Sequence, residues 1–428
     1  MARPRILSFL EMMRDQWKSL PELEVIQSRR LRRLVQGASS SAPFYGKLLR
    51  DCGLRAEDIR SPKDLRHISI TTKEQLQSAG RDEISNRQID LSRCVAVSSS
   101  GSTGIPLQLF FTRTDSSRLN MNWLRPFLAH GVKPWQKKFE ITGPHNISHQ
   151  INWYNRLGLW NRQMVSIFEG PDQWVKGWRS SRPAVLAGYS QSLRLLADHV
   201  TREGISDITP RFVFGVSDLA DEECRALIER AFRQRFVDLY GAAESGCIAW
   251  ECPDCRGYHI NLDTVLVEFL TKGGDPAPPG TLGRIVVTNL FSQAMPIIRY
   301  DLGDVGVRSA REPTCGRGLP LMEIVAGRSD AFLVLPSGRL LSPMTFYGLM
   351  KPLQGIKHWK VLQPDTRRLI IRVVPGPGFS GQTGEQIQRR VAEVIPEKIE
   401  LEVQTVEAIP PDASGKVRAV VSEVKSAF

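Results

Sequence analysis

Between residues 184 and 241, apolar runs alternate with stretches of helical spacing, and this alternation constrains the fold more than any other feature of the chain. Ala184-Val185-Leu186-Ala187-Gly188-Tyr189, Phe212-Val213-Phe214-Gly215 and Val237-Asp238-Leu239-Tyr240-Gly241 read as strands. Gln191–Glu203, apolar at Leu193, Leu195, Leu196 and Val200, and Asp221–Arg233 read as the helices between them. Strands joined by helical crossovers of about a dozen residues run parallel, and the helices then cover the sheet. The expectation is an α/β fold with a largely parallel sheet.

The flanking segments extend this outline. Ile6–Leu20 and Leu23–Ser41 carry apolar residues at helical spacing. The basic, apolar start is interrupted by Glu11 and Arg14 and meets no small-residue cleavage site, so it reads as an amphipathic helix of a cytoplasmic chain. Cys94–Val97 and Leu107–Thr112 read as strands on either side of a loop, Ser98–Pro106. His259–Leu262, Val265–Leu270, Gly283–Asn289 and Pro296–Tyr300 read as further strands. After about Arg328 the pattern changes: Phe332–Leu335, Pro336–Leu341, His358–Leu362 and Arg368–Val374 read as extended, and residues 383–394 as a helix before a terminal strand. The expected organisation is a large N-terminal α/β domain, 1–327, with stacked sheets, and a small mobile α+β domain, 328–428. No apolar run reaches the length of about 18 residues that a membrane-crossing helix needs.

The net charge is +12 over 428 residues. A solvated basic surface or steering of polyanionic substrates accounts for it. A nucleic-acid footprint is disfavoured because the charge is spread, and the densest cluster, Arg29-Arg30-Leu31-Arg32-Arg33, alternates with an apolar residue as a helix face does.

Chemistry enters through five short strings. The loop Ser98-Ser99-Ser100-Gly101-Ser102-Thr103-Gly104 offers hydroxyls and glycine amides suited to polyphosphate, without the lysine of a Walker A loop. Downstream come Asp238-Leu239-Tyr240-Gly241-Ala242-Ala243-Glu244, Ile298-Arg299-Tyr300-Asp301-Leu302-Gly303-Asp304, Gly327-Arg328-Ser329-Asp330 and Ser414-Gly415-Lys416-Val417-Arg418. Each alone occurs by chance; the ordered set is specific.

From about residue 95 to the C-terminus, the set resembles the adenylate-forming superfamily. With Phe214-Gly215-Val216-Ser217-Asp218-Leu219 and Cys315-Gly316-Arg317-Gly318-Leu319-Pro320 it is most similar to phenylacetate–CoA ligases and their capsule-biosynthesis homologues. The resemblance implies an AMP-forming acid–CoA ligase using ATP, Mg²⁺ and CoA, as a monomer or homodimer. It implies ATP contacts at Ser99, Ser100, Gly101, Ser102, Thr103, Gly104, Gly215, Tyr240, Gly241, Asp304 and Arg328. Lys416, Glu244 and Arg328 would be catalytic, with Glu244 holding Mg²⁺. Asp330 would be a hinge and Arg339 would flank a CoA channel. His145 and Asn146 resemble a His-Asn pair of aryl-acid adenylating enzymes, and with Phe214, Tyr240 and Ala242 would contact an aryl or arylacetic acid. A Pro/Asn turn of no special role is the other reading of that pair.

Three departures stand out. Ile105-Pro106-Leu107 lacks a lysine often present there, Ala243 replaces a hydroxyl residue, and Ala331 replaces an acidic one. The lost lysine and hydroxyl favour a nucleotide-binding or zinc-binding scaffold over an enzyme, whereas Glu244, Asp304, Arg328 and Lys416 argue the reverse. An amine or carrier-protein acceptor shares every motif with the CoA reading. Cys252, Cys255, His259 and Cys315 have the composition of a structural zinc site, or are reduced thiols and a strand histidine. A zinc-ribbon nucleic-acid binder would need more aromatics there than Trp250 and Tyr258.

Overall fold

The computed structural model describes residues 5–98, 107–147, 153–217, 220–328, 332–341, 343–350, 353–410 and 418–424. The chain divides into two compact units, Met1–Lys133 with Leu239–Val325, and Pro134–Asp238 with Ala326–Phe428.

The first unit opens with helices. The expected helix Ile6–Leu20 stops early: Arg5–Asp15 is one helix and Leu20–Ser41 the next. Ser19 caps the second, its N–H and hydroxyl donating to the Glu22 carboxylate at 2.9 and 2.7 Å, and Pro21 sits in the first turn. Strands β1 (Val95–Ser98) and β2 (Gln108–Phe111) pair antiparallel, with Ser98 opposite Gln108. They hold the two ends of the Ser/Gly loop together. The hairpin is anchored because Leu109, Phe110 and Phe111 join the core formed with Ile248, Ile285 and Val287.

In the second unit, β3 (Lys138–Thr142), β4 (Arg162–Ser166), β5 (Val185–Tyr189) and β6 (Phe212–Val216) run parallel in the order β6-β5-β3-β4. Helices Pro171–Ser181, Ser190–Arg202 and Glu222–Phe232 follow β4, β5 and β6. Their apolar faces bury Trp174, Leu193 and Ile228 with Phe139, Leu186 and Val213 of the strands. This is the expected strand–helix alternation.

The first unit resumes within β7 (Phe236–Ala242). It continues through β8 (Gly246–Glu251), β9 (Tyr258–Ile260), β10 (Val265–Leu270), β11 (Leu282–Asn289), β12 (Tyr300–Arg308) and β13 (Leu321–Arg328), in the sheet order β10-β11-β12-β13-β9-β8-β7. The expected strand Pro296–Tyr300 is not one, since β12 begins only at Tyr300. Pro296 has no amide to give a ladder, and Arg299 takes a left-handed φ of 48°. The Arg299 amide donates to the Thr288 hydroxyl at 2.9 Å, and its carbonyl accepts from the Thr71 amide at 2.8 Å.

The C-terminal residues of the second unit carry a separate sheet. A short hairpin, β14 (Leu333–Val334) with β15 (Leu340–Leu341), precedes β16 (Ile356–Asp365), β17 (Arg368–Pro375), β18 (Glu400–Thr405) and β19 (Val420–Ser422), ordered β18-β17-β16-β19. Phe346 and Leu349 of helix Pro343–Met350 and Ile387 and Val391 of helix Gly381–Val394 pack on Val361, Ile371 and Val373. Among the described residues, no helix is long and apolar enough to cross a membrane.

Candidate functional site

In the first unit, two of the sequence strings meet. The Tyr240 hydroxyl donates to Oδ2 of Asp304 at 2.8 Å, across 64 residues of sequence. A β-bulge makes this possible. Arg284 pairs with Val305 and Val286 with Asp301, so the residues 302–304 oppose Ile285 alone. Gly303, at φ 71°, takes the backbone conformation that the bulge demands. Its amide donates to the Asp301 carboxylate at 2.9 Å. A bulge re-aims a side chain out of strand register, and here the residue re-aimed is Asp304.

Glu244 follows β7 and is 7% exposed. The Tyr300 hydroxyl donates to its Oε1 at 3.4 Å, and the Asn289 side-chain amide donates to its backbone carbonyl at 2.8 Å. Neither Tyr300 nor Asn289 was assigned a role from sequence, although Tyr300 lies inside one of the strings. A buried carboxylate is an oxygen ligand of the kind Mg²⁺ takes, so Glu244 fits that ion. Gly241 is fixed by space: a methyl there would come within 2.6 Å of the Trp123 ring and of the Gly246 carbonyl oxygen. Tyr240, Ala242 and Ala243 are half-buried against the core of the unit.

In the second unit, Gly215 on β6 is also fixed by packing, because a methyl would overlap the Phe236 ring and approach Ser190 Oγ to 2.8 Å. Phe214 beside it is 1% exposed. The Asn146 side-chain amide donates to the Thr142 hydroxyl at 3.3 Å and to the Tyr189 hydroxyl at 3.2 Å, at the C-terminal ends of β3 and β5. Ligands of open α/β sheets bind beyond those strand ends. Arg339 is half-exposed, with its guanidinium 3.8 Å from the Glu397 carboxylate and donating to the Val394 carbonyl at 3.3 Å. Ser99, Ser100, Gly101, Ser102, Thr103, Gly104, Asp330 and Lys416, and the side chains of His145 and Arg328, lie outside the described residues.

A cluster of sulfur and imidazole lies in the first unit. The ligand atoms of Cys252, His259 and Cys315 all fall within 4.8 Å of one another. His259 Nε2 is 3.2 Å from Cys315 Sγ. The other ring nitrogen, Nδ1, is 3.0 Å from the Leu319 carbonyl oxygen, an arrangement that turns Nε2 towards the sulfurs. Burial, together with the neighbouring arginines, holds the imidazole at about 4, against the Leu319 hydrogen bond, and burial pushes the Cys252 thiol up to about 12. Two thiols and a neutral imidazole are the donor set zinc prefers, so these residues fit it. Cys255 is not in the group of three, although its side chain reaches that of Cys252.

Residues 333–423 match the family described as the CapK C-terminal domain. The chain is 25% identical over 368 residues to a phenylacetate-coenzyme A ligase of Thermus thermophilus, covering 82% of this chain and 81% of the relative. It is 21% identical over 293 residues to protein CapK of Staphylococcus aureus, covering 66% and 62%. Among solved structures, 2-hydroxyisobutyryl-CoA ligase in the postadenylation state superposes with a TM-score of 0.79 at 17% identity, over 96% of this chain and 92% of that one. The chain therefore has the fold of this AMP-forming CoA ligase. In sequence it is similar to phenylacetate-coenzyme A ligases and to CapK.

Proposed function

We propose that this chain is an acid–CoA ligase that forms AMP, activating a carboxylic acid with ATP and transferring the acyl group to CoA. The observation that carries the reading is the Tyr240–Asp304 hydrogen bond at 2.8 Å, with Glu244 buried four residues beyond Tyr240. A carboxylate oriented by such a donor is preorganised to accept the paired hydroxyls of a ribose. Residues 1–327 would hold nucleotide and acid, and residues 328–428 would be the moving domain.

The acid's own carboxylate attacks the α-phosphorus of ATP; a bond forms between carboxylate oxygen and phosphorus, and pyrophosphate leaves. No base is needed because the nucleophile is already an anion. Lys416 would meet the negative charge that develops on the phosphoryl oxygens, and Arg328 would contact the nucleotide. Mg²⁺, held by Glu244, would neutralise charge on the phosphates. The CoA thiol then attacks the acyl carbon and AMP departs with the bridging oxygen. Lys416 serves only the first half, so the domain that carries it is free to turn about Asp330 and bring Arg339 towards CoA. His145, Asn146, Phe214 and Ala242 would face the acid, an aryl or arylacetic one. Zinc, on Cys252, His259 and Cys315, would pin the strand β9 to the loop at 315–319 and take no part in the chemistry.

The test is acid-dependent pyrophosphate release from ATP over aryl, arylacetic and aliphatic acids, with and without CoA. Release tied to one acid and turning over only with CoA is expected. Turnover with an amine or carrier protein in place of CoA changes the acceptor, and no release with any acid contradicts the reading.

A further inference from the structure

The first unit contains a cleft of about 530 Å³ to which neither the motifs nor the proposed chemistry assign a role. Helices Arg5–Asp15, Leu20–Ser41 and Arg113–Ala129 and the segment 290–296 enclose it. Arg29, Arg30, Arg33 and Arg118 line it, against the acidic residues Glu11 and Asp263.

The carboxylates nearest Arg30 and Arg118 are each held by other donors as well. Asp263 takes a two-pronged hydrogen bond from Arg125, at 2.8 and 2.7 Å, while Arg30 donates to its backbone carbonyl and stands 4.0 Å from its carboxylate. Asp15, 3.6 Å from Arg30, is held by Lys18 at 2.9 Å. Asp115, 3.8 Å from Arg118, accepts the Thr112 hydroxyl at 2.7 Å and the Gln293 amide at 3.3 Å.

The arginines are also placed. The guanidiniums of Arg30 and Arg118 each stand 4.8 Å from the centre of the Phe291 ring. Their side chains are 18% and 26% exposed, so their rotamers are restricted in advance. Arg29 and Arg33, four residues apart on one helix face, remain exposed beside them. Apolar walls come from Met12, Leu34 and Met121.

Guanidiniums are suited to phosphate because each offers planar paired donors and a charge that is never lost. Concavity and volume favour a small molecule over a nucleic acid or a membrane, since ligand pockets run from about 300 to 1,000 Å³. We propose that this cleft binds a phosphate-bearing small molecule, its phosphates on Arg29, Arg30, Arg33 and Arg118 and its less polar part along Phe291 and the methionines. Two sources share that chemistry: the phosphates of CoA, which rests on the ligase reading, and a free nucleotide or pyrophosphate, which does not.

The experiment titrates pyrophosphate, AMP and CoA into the full-length protein by calorimetry and measures the KM for CoA. It compares wild type with an Arg29→Glu/Arg33→Glu pair, an Arg118→Gln variant and a control pair of equal charge change outside the cleft, Arg32→Glu/Arg50→Glu. The cleft variants should weaken at least one phosphate probe by about tenfold or more relative to the control, as expected for lost charge-assisted bonds. A matching rise in the KM for CoA, with acid-dependent ATP–pyrophosphate exchange unchanged, identifies CoA. An unchanged KM for CoA with weakened pyrophosphate or AMP binding identifies a free phosphate ligand. Equal affinity of cleft variants and control for every probe overturns the proposal. Absence of acid-dependent exchange in wild type counts against the ligase reading alone, because the titrations do not depend on turnover.

Discussion

The Tyr240 hydroxyl helps to orient the Asp304 carboxylate through a hydrogen bond of 2.8 Å. If Asp304 holds the ribose, Asp304→Ala should raise the KM for ATP by about tenfold or more, the scale of hydrogen bonds to a charged group. Tyr240→Phe removes only the positioning bond and should raise it about threefold. Steady-state pyrophosphate assays read both, and equal effects would mean that Tyr240 does more than orient. A second pair governs stability. Arg125 and Asp263 are both fully buried, and Arg125 also donates to Asn261 at 2.6 Å and to the Met12 carbonyl at 2.7 Å. Arg125→Ala takes from a buried carboxylate its two-pronged partner, leaving only Arg30 at 4.0 Å, and should cost about 3–5 kcal/mol in urea unfolding. Burial alone would push the Asp263 carboxyl up, but the Arg125 guanidinium outweighs it and the net shift is downward. With the folded value depressed, the pair stabilises fully above the ordinary carboxylate range of about 3.9 and loses this as pH falls through the folded value. Asp263→Asn should therefore flatten the acid limb of stability against pH, and an unchanged limb would contradict that.

At the scale of elements, β7 and β8 leave no room at Gly241 for even a methyl. Gly241→Ala should cost about 1–3 kcal/mol of stability, as overpacking does, and lower activity with it. The loop joining β8 to β9 offers a test of its own. Elemental analysis of the purified protein should find about one zinc per chain if Cys252, His259 and Cys315 close a tetrahedral site with a fourth ligand. Protein free of metal as purified from zinc-supplemented medium would contradict it. Burial likewise pushes the Cys224 and Cys247 thiols up to about 12, so both should resist alkylation in the native state. Strands β5 and β6 were legible because a strand covered on both faces is apolar throughout, whereas β3 and β4, which carry Lys138, Glu140, Arg162 and Gln163, were not. The start of β12 was not, because Ile297 and Ile298 read as strand while Pro296 and the left-handed Arg299 divert the backbone. The break after Asp15 was hidden because helical spacing continues through it, and only Ser19 and Glu22 mark the cap. Tyr300 and Asn289 could not be found as supports of Glu244, since that contact depends on the register setting Val287 opposite Tyr300. Asp304 was legible as a motif residue, but the bulge that aims it was not.

At the scale of the whole molecule, the two halves of the chemistry should separate. Lys416→Ala should abolish adenylate formation yet leave thioester formation from a supplied acyl-adenylate largely intact. Loss of both halves would contradict a moving C-terminal domain. The charge of +12 suits substrates that are polyanions, and the rate of CoA capture should fall as salt rises. The central claim is that the acid's carboxylate attacks the α-phosphorus. The most direct measurement uses an acid labelled with ¹⁸O in both carboxylate oxygens and follows the label by mass spectrometry after turnover with ATP and CoA. One labelled oxygen should appear in AMP and the other remain in the thioester; label in inorganic phosphate, with ADP as the nucleotide product, would contradict the account.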